Sequence, residues 1–243
     1  MQFYSMTDKG ITRPNNEDYC NARQVGKFTL LVLADGMGGA NSGEVASSMT
    51  VKSIFNSLDE NLMRHLTLAD MPKTLSDVVK RTNTSVYELS RSNDAFEGMG
   101  TTLEICVVSE GTAYIAHIGD SRVYKITSDG NIKRLTKDHS LVEYMIDAGT
   151  ITPEEAVNHP QKNVITKALG TSPDIEADII SFSLSDDDII FMCSDGLSNM
   201  LSEEEIVSVV LSEENLSVCA EKLVQMANDA GGKDNITVIL AKN

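Results

Sequence analysis

The alternation of apolar and polar positions divides the chain into strand-like and helix-like stretches. The strand-like stretches are apolar or β-branched runs bounded by Gly, Asp or Asn. They cover residues 3–7, 28–34, 101–109, 111–119, 121–128, 175–182, 189–193 and 236–240. The three runs between residues 101 and 128 meet at Glu110-Gly111 and at Gly119-Asp120, two turn-like pairs, which predicts an antiparallel meander.

Helical periodicity marks the first third of the chain after a glycine-rich turn. Apolar residues at spacings of three and four predict a helix that begins near Gly43. These residues are Val51, Ile54, Phe55, Leu58 and Leu62. A second helix is predicted over residues 73–89, with Pro72 at its first turn.

Two capping boxes predict further helix starts in the second half of the chain. Ser140 with Glu143 opens a short helix, and Ser202 with Glu205 opens the first of two final helices. Between them, residues 150–174 form a long and weakly patterned connection. Loops of this length in compact domains are often functional.

Helices near both ends, with strands between them, favour sheets covered by helices on their outer faces, an α+β fold. The chain has 243 residues, of which 41% are hydrophobic, and no repeat or linker divides it. A chain of this size and composition can fill the core of one large fold. We therefore expect a single domain over residues 1–243.

The charge balance argues against several classes of partner. Lys and Arg number 20 against 36 Asp and Glu, which gives a formal net charge of −16. Nucleic acids and anionic membranes attract basic surfaces, so we expect neither as a partner. The same field would repel a phosphorylated substrate, whose binding would require metal ions or an arginine at the site.

Cysteine usage and the first residues favour a cytoplasmic protein. The four cysteines are widely separated without a CxxC spacing, which indicates reduced core thiols and argues against a disulfide framework or a zinc site. The first ten residues lack the basic start and apolar run of a signal peptide. The longest apolar run is also far shorter than the ~20 residues that span a bilayer.

Four aspartates lie at the edges of apolar runs, each beside a Gly or Asn: Asp35, Asp120, Asp195 and Asp234. Carboxylates are hard oxygen donors that select Mg²⁺ or Mn²⁺ over zinc or copper. A convergent set of them would need cations between its members. The alternative is four independent turn aspartates, as Asp129 is expected to be in a hairpin.

The glycine-rich turn after Asp35 resembles two nucleotide motifs without fitting either. Residues 36–41 follow a strand as a dinucleotide fingerprint does, but Asn41 stands where Gly or Ala is needed. Residues 38–43 have the spacing of a P-loop, but Glu44 replaces the lysine and would repel phosphate. A nucleotide-binding α/β enzyme stays an alternative. It would require that nucleotide, in the absence of metal, stabilises the chain against thermal unfolding.

Five short motifs occur in order along nearly the whole chain: LLVLADGMGG (30–39), GMGTT (98–102), HIGDSR (117–122), SDGL (194–197) and GGKDNITV (231–238). Together they resemble the metal-dependent type 2C (PPM-type) protein serine/threonine phosphatases, and the short form resembles the bacterial members. The resemblance implies a four-layer α-β-β-α sandwich, with two central antiparallel β-sheets flanked by helices. It also implies a binuclear metal centre at one end of the sandwich.

The resemblance assigns metal-binding roles to the strand-edge acids. Asp35 matches the residue that bridges two metal ions, and the carbonyl oxygen of Gly36 matches a ligand of one of them. Asp195 and Asp234 would complete the shell. Asp120, with Asp195, matches the pair that holds a third ion in bacterial relatives. The implied ions are Mn²⁺ or Mg²⁺.

Further assignments surround these ligands. Arg13 matches the arginine that binds the substrate phosphate, and Asp18 matches an outer-shell acid that orients metal-bound water. Asn235 is the neighbour of the last ligand, and residues 150–174 match a mobile flap beside the active site. The expected catalytic residues are therefore Arg13, Asp18 and Asp35.

The implied function is hydrolysis of phosphoserine and phosphothreonine in proteins by direct attack of a hydroxide that bridges the two metal ions. Phosphorylated proteins would be the substrates, and a cognate Ser/Thr protein kinase would be the opposing enzyme. We expect a monomer that binds neither nucleic acid nor membrane.

The chain departs from the bacterial pattern at one position. Bacterial members commonly carry DGMGGH, whose histidine is assigned the protonation of the leaving oxygen, and this chain has Ala40 there. Loss of a general acid would cost about 10²–10⁴-fold on phosphoserine and much less with a phenolic leaving group. His159 in the flap or a metal-bound water are the alternative donors. The second hypothesis is a catalytically weakened relative that binds phosphoproteins or a kinase.

Overall fold

The computed structural model describes residues 1–38 and 42–243. The strands in these residues are β1 (Gln2–Asp8), β2 (Asp18–Val25), β3 (Phe28–Met37), β4 (Gly100–Thr101), β5 (Leu103–Ser109), β6 (Thr112–Ile118), β7 (Arg122–Ile126), β8 (Ile132–Arg134), β9 (Asp178–Ser183), β10 (Ile189–Cys193) and β11 (Ile236–Lys242). The α-helices are α1 (Ser42–Ser57), α2 (Glu60–His65), α3 (Met71–Ser92), α4 (Leu141–Asp147), α5 (Pro153–Val157), α6 (Asp195–Ser198), α7 (Glu203–Ser212) and α8 (Leu216–Asp229). In this part of the chain, no helix has both the length and the apolar composition needed to cross a membrane.

The strands form two antiparallel sheets. The first has the order β1-β11-β10-β7-β8, and the second has the order β2-β3-β5-β6-β9 with β4 paired to β3. The first strand pairs with the last, so that Gln2 lies opposite Lys242. The prediction of one meander over residues 101–128 is wrong at β7, because the chain crosses to the other sheet after Gly119, whose φ is +112°.

The side chains of β3 alternate between two layers of core. Leu30 and Val32 pack with apolar residues of α1 and α3 on the outer face of the second sheet. Leu31 and Leu33 pack between the two sheets. Both faces of the strand are therefore buried, as its uninterrupted apolar run predicts.

The outer face of the first sheet packs against α7 and α8 in a separate apolar cluster. The layers thus run helix, sheet, sheet, helix. The expected α+β fold with two central antiparallel sheets flanked by helices is confirmed.

The first helix ends earlier than the apolar spacing predicts. α1 stops at Ser57, and Asp59 caps α2 by accepting a hydrogen bond from the backbone N–H of Leu62 at 2.9 Å. Leu62 is 36% exposed and does not continue the buried face of α1. A capping aspartate therefore interrupts a spacing that is typical of one continuous helix.

Three elements lie where the sequence pattern predicts none. β2 follows the turn-rich segment and pairs with β3. Its middle residues are partly exposed and mix polar with apolar side chains, so no clear alternation marks a strand. α5 lies within residues 150–174, and α6 begins at Asp195 directly after β10. β9 also begins three residues later than predicted, at Asp178.

Candidate metal centre

Strand ends deliver five acidic side chains to one end of the sandwich. Asp35 near the end of β3 lies directly opposite Asp18 at the start of β2. Asp195 follows β10, Asp234 precedes β11, and Asp120 precedes β7. β7, β10 and β11 are antiparallel neighbours, so these last three acids lie at the same end of their sheet.

Asp35 is the electrostatic centre of this group. Desolvation raises the pKa of Asp35 well above its usual range, and the charges of Asp18, Asp195, Asp120 and Asp234 raise it further. Charges influence one another mainly over short distances. The acids therefore share one cleft and are not four independent turn residues.

Asp18 is a buried acid with neutral partners. Its Oδ2 accepts hydrogen bonds from Ser194 Oγ at 2.8 Å and Thr237 Oγ1 at 2.6 Å. Its Oδ1 has no hydrogen-bond partner among the described residues. Burial raises the pKa of Asp18 to about 7 in spite of the two hydrogen bonds. This carboxylate lacks the positive charge that would stabilise its ionised form.

Asp120 and Asp195 show the same imbalance. Burial, followed by the charge of Asp195, raises the pKa of Asp120 to about 7. Burial, followed by the charge of Asp234, raises the pKa of Asp195 to about 6. Asn199 Nδ2 donates a hydrogen bond to Asp195 Oδ2 at 3.0 Å, which orients one oxygen of that carboxylate.

This donor set fits Mg²⁺ or Mn²⁺. Within residues 1–38 and 42–243, no three His, Cys, Asp or Glu side chains are already gathered around one point that could hold an ion. Mg²⁺ usually keeps several waters and takes only one or two carboxylates from the protein, so a tight cage is not required. Unpaired, desolvated carboxylates with raised pKa values are the groups that a divalent cation would stabilise.

Arg13 brings one positive charge to the edge of the cleft. Its Nη2 lies 2.7 Å from Asp234 Oδ2, and the two side chains are 45% and 32% exposed. A guanidinium has five N–H donors, and this contact engages one nitrogen. Arg13 is thus held beside the acids and is open to solvent, as a residue that binds an incoming anion must be.

Asn235 fixes the loop that carries Arg13. Its Nδ2 donates to the carbonyl oxygens of Lys9 and Asn15, each at 2.8 Å, and its Oδ1 accepts from the N–H of Glu17 at 2.8 Å. The side chain therefore satisfies three backbone groups of a segment more than 200 residues away in sequence. The resemblance identifies Asn235 only as the neighbour of Asp234, and the structure adds this structural role.

Glu17 is a further acid of the cleft, and the sequence analysis did not assign it a role. Its carbonyl oxygen accepts a hydrogen bond from the N–H of Gly36 at 3.1 Å. A Cβ added to Gly43 would lie 2.9 Å from Glu17 Oε1 and 2.9 Å from the backbone carbonyl carbon of Gly36, and the backbone contact is the one that requires glycine there. Burial raises the pKa of Glu17, and the charge of Asp234 adds to the effect. The surrounding turn-rich segment gave no signal that singled out this residue.

Gly36 also occupies a place that no other residue fits. A Cβ there would lie 2.2 Å from the carbonyl oxygen of Gly43 and 2.5 Å from that of Glu17. The close approach brings the end of β3 against the first turn of α1. Glycine after Asp35 is therefore required by packing, whatever its carbonyl oxygen binds.

Thr102 of the GMGTT motif joins two segments of the site. Its Oγ1 accepts a hydrogen bond from the N–H of Asp35 at 2.9 Å and forms a hydrogen bond with Ser121 Oγ at 2.9 Å. Its own N–H donates to the carbonyl oxygen of Asp35 at 2.8 Å. The motif therefore holds the end of β3 against the segment that carries Asp120.

The groups considered for protonation of the leaving oxygen are only partly covered by the described residues. Ala40 lies outside the described residues. His159 is half-buried, and its Nδ1 accepts a hydrogen bond from the N–H of Gln161 at 3.2 Å within a local turn. His65 is exposed, and His117 lies on β6, where it is fully buried against Glu104.

A cavity of about 380 Å³ opens beside Asp120 and Asp195. Val142 and Ile146 of α4, with Val157 of α5, contribute apolar side chains to its wall. The helix inside residues 150–174 therefore borders the acidic cleft, which is where a flap would lie.

Two helix-covered antiparallel sheets carry desolvated carboxylates at one end, with an exposed arginine beside them, and such a site is suited to a metal-dependent hydrolase of phosphate esters. A sequence model described as protein phosphatase 2C matches residues 12–240. The chain belongs to the protein phosphatase 2C family. The family expected from the five motifs is therefore confirmed, and so is the class of enzyme, a protein serine/threonine phosphatase.

Similar proteins agree with this assignment. The chain is 40% identical over 242 residues to protein phosphatase PhpP of Streptococcus pneumoniae, covering 99% of this chain and 96% of PhpP. A structure of the S. agalactiae serine/threonine phosphatase is 37% identical, with a TM-score of 0.92 and 98% of each chain covered. The catalytic domain of PstP in complex with two manganese ions is 33% identical, with a TM-score of 0.86, covering 99% of this chain and 97% of that chain.

Proposed function

We propose that this chain hydrolyses phosphoserine and phosphothreonine in proteins, using two divalent ions held by Asp35, the carbonyl oxygen of Gly36, Asp195 and Asp234. Asp120, beside Asp195, is assigned to a third ion. The observation that carries the proposal is the convergence of uncompensated carboxylates on Asp35. The two manganese ions in the similar PstP structure support a binuclear centre, and we assign Mn²⁺ or Mg²⁺ to it.

Bound divalent ions would supply an activated water as nucleophile and would offset the charge of the phosphate. Asp18 is assigned the orientation of that water. Ser194 and Thr237 fix its Oδ2, and its Oδ1 is left to accept a hydrogen bond. No covalent intermediate with the protein is required.

Arg13 is assigned to the substrate phosphate. The net charge of −16 opposes the approach of any phosphorylated protein, so a local cation is needed where the phosphate binds. A guanidinium matches two phosphate oxygens at once and forms stronger hydrogen bonds than a neutral donor does. The ion pair with Asp234 keeps Arg13 at the edge of the cleft until the phosphate arrives.

The cavity beside Asp120 is assigned to the polypeptide around the phosphorylated residue. It adjoins the acids, and α4 and α5 give it an apolar wall. A phosphorylated protein needs such space, whereas a small phosphate ester does not. A cognate Ser/Thr kinase as opposing enzyme, a monomeric state and a cytoplasmic location remain predictions from the sequence.

Ala40 predicts a preference among leaving groups. A serine alkoxide needs a proton as it leaves, whereas a phenolate is a good leaving group without one. We therefore expect slow turnover of phosphoserine relative to p-nitrophenyl phosphate. Ala40→His should speed the hydrolysis of a phosphoserine peptide more than that of the aryl ester, and equal effects would remove Ala40 from the leaving-group step.

Steady-state assays with Mn²⁺ test the proposal. p-Nitrophenyl phosphate reports the metal centre alone, and a phosphothreonine peptide reports protein substrates. Turnover of both, abolished by a chelator and restored by Mn²⁺, is the expected result. If neither substrate is turned over, the result would favour a relative that only binds phosphoproteins or a kinase. Metal-independent turnover would contradict the assignment of the acids.

A further inference from the structure

His139, which precedes α4, holds both hydrogen-bonding groups of Gly119. The N–H of Gly119 donates to His139 Nδ1 at 3.0 Å, and the N–H of His139 donates to the carbonyl oxygen of Gly119 at 2.7 Å. Gly119 directly precedes Asp120. One residue of a different segment therefore fixes the backbone immediately before a proposed metal ligand.

These contacts define the protonation of the His139 ring. Nδ1 accepts a hydrogen bond and so carries no proton, which places the proton on Nε2. Nε2 lies 3.3 Å from Asp178 Oδ2, which can accept that proton's hydrogen bond. Burial, followed by the charge of His117, lowers the pKa of His139 to about 4, so the ring is neutral near neutral pH. The ring thus has one acceptor and one donor with a defined partner for each.

A second histidine supports the ring from below. The rings of His117 and His139 are stacked, with centroids 4.6 Å apart and planes inclined by 19°. His117 is fully buried, with Nδ1 at 2.5 Å from Glu104 Oε1 and Nε2 donating to the carbonyl oxygen of Lys137 at 2.8 Å. Rotating His117 would break two buried hydrogen bonds, so it forms a fixed platform for His139.

Gly119 needs this external support. Its φ of +112° is accessible to glycine and not to other residues, and an added Cβ would lie 2.5 Å from Thr102 Cγ2. A glycine has no side chain that packing could hold, so its orientation depends on its hydrogen bonds. On the other side of Asp120, Ser121 is held by its hydrogen bond with Thr102.

We propose that His139 is a positioning residue, which sets the direction of the Asp120 carboxylate through its hydrogen bonds to Gly119. The proposal rests on the metal-binding role proposed for Asp120. Neighbouring groups that orient a ligand commonly affect metal affinity by about 10- to 100-fold. In the described contacts, His139 contacts neither Arg13 nor any of the five cleft acids, so its effect on Asp120 must pass through Gly119.

Three variants separate the acceptor atom from the ring. His139→Asn keeps an acceptor near the position of Nδ1, His139→Phe keeps a flat ring on His117 without an acceptor, and His139→Gln keeps a donor near the position of Nε2. Titration calorimetry with Mn²⁺ measures binding, and thermal unfolding in chelator verifies that each variant folds. We expect His139→Phe and His139→Gln to weaken the affected Mn²⁺ site about 10- to 100-fold and His139→Asn to bind Mn²⁺ nearly as tightly as the wild-type chain.

Asp120→Asn provides the reference, alone and combined with His139→Phe. If His139 acts through Asp120, the double variant binds Mn²⁺ no more weakly than Asp120→Asn alone, because both changes remove one interaction. Additive losses would overturn the proposal. Wild-type Mn²⁺ affinity in both His139→Phe and His139→Gln would also overturn it, as would a loss of affinity in His139→Asn equal to theirs.

The same measurements separate this inference from the proposed function. If Asp120→Asn binds Mn²⁺ like the wild-type chain, the role of Asp120 fails and the inference fails with it. If Asp120→Asn binds Mn²⁺ more weakly while His139→Phe and His139→Gln do not, only the inference fails. If His139→Phe does not fold, His139→Gln decides, and if neither folds, His139 is a structural residue and the proposal is wrong.

Discussion

Asp18 and Glu104 are buried acids on β2 and β5, the two strands that flank β3. Burial raises the pKa of each carboxyl to about 7. Glu104 has a basic partner, with His117 Nδ1 at 2.5 Å. Asp18 has two neutral hydroxyl donors and lies opposite another acid, Asp35. Two buried carboxyls of one sheet therefore differ in their partners, since Glu104 has a basic partner and Asp18 has none.

This difference shows which kind of burial points to a bound cation. Desolvating an ionised group is costly unless a partner of opposite charge or a set of hydrogen bonds offsets it. Glu104, inside the sheet, has such a partner in His117, whereas Asp18, at the cleft, is surrounded by further carboxylates. A raised pKa alone does not distinguish the two places. The sign of the neighbouring charges does.

The largest expected effect is on turnover. Asp35→Asn should reduce kcat with Mn²⁺ by about a thousandfold or more, because the loss of metal-ion catalysis removes several kcal/mol of transition-state stabilisation. Glu104→Gln, which keeps a neutral hydrogen bond to His117, should retain most of the turnover. Assays with p-nitrophenyl phosphate measure both. Similar losses of turnover in the two variants would mean that Asp35 has no catalytic role that Glu104 lacks.

The second effect is on stability in chelator. His117→Leu leaves Glu104 buried without its partner and should lower the free energy of unfolding by about 3–5 kcal/mol. Asp18→Asn keeps an acceptor for Ser194 and Thr237 and removes an uncompensated charge, so it should leave stability unchanged or increase it. Urea unfolding measures both changes. A large loss in Asp18→Asn would show that its charge is already balanced within the protein.

The third effect is a dependence on pH in the absence of metal. The pKa values of Asp18 and Asp120 are raised to about 7 and that of Asp195 to about 6 in the folded state. Between about pH 4 and about pH 7 the folded chain therefore binds more protons than the unfolded chain, and the free energy of unfolding falls as pH rises. We expect a fall of the order of a few kcal/mol in chelator, measured by urea unfolding. Glu104 contributes with the same sign, so Asp18→Asn, which should flatten the curve, is the control for the cleft.

The fourth effect is stabilisation by metal. Mn²⁺ at about 100 times its dissociation constant should stabilise the wild-type chain by about 2.7 kcal/mol, since it binds the folded state. Asp35→Asn should gain much less, whereas Glu104→Gln should gain as much as the wild-type chain. Thermal unfolding with and without Mn²⁺ measures the gain. An equal gain in Asp35→Asn would place the ion elsewhere.

The smallest effect on stability is expected at Arg13. Its ion pair with Asp234 is exposed, so Arg13→Ala should change the free energy of unfolding by less than about 1 kcal/mol. The same change should raise KM for a phosphothreonine peptide about tenfold, because a charged hydrogen bond to the phosphate is lost. Arg13→Lys, which keeps the charge without the two-pronged geometry, should lie between. An unchanged KM in Arg13→Ala would remove the arginine from phosphate binding.

Four acids of the cleft, Asp35, Asp120, Asp195 and Asp234, were predictable because each one follows or precedes a strong apolar run beside Gly or Asn. That local pattern marks a strand end without showing which strand ends meet. Asp18 was placed in the site by resemblance alone, since β2 is partly exposed and mixes polar with apolar residues without a clear alternation. The two-sheet fold likewise came from the order of the motifs, and the periodicity suggested only sheets covered by helices.

The contacts that organise the site were not predictable, because they depend on the pairing of distant segments. Glu104 is the one acid in an otherwise apolar run, which was an available signal, but its partner His117 is set by the register of β5 and β6. Nothing near Asn235 or His139 in sequence shows that these side chains hold the segments before Glu17 and Asp120. Their partners are fixed only when the sheets have formed.

The pairing of β1 with β11 has a consequence for the order of folding. β11 lies between β1 and β10, and the residues just before it supply Asp234 and the amide that secures the Arg13 loop. Segments more than 200 residues apart in sequence must therefore pair before the site is complete. Local structure, including the outer helices, can form earlier, but the cleft gains its last wall only when β11 has joined β1 and β10.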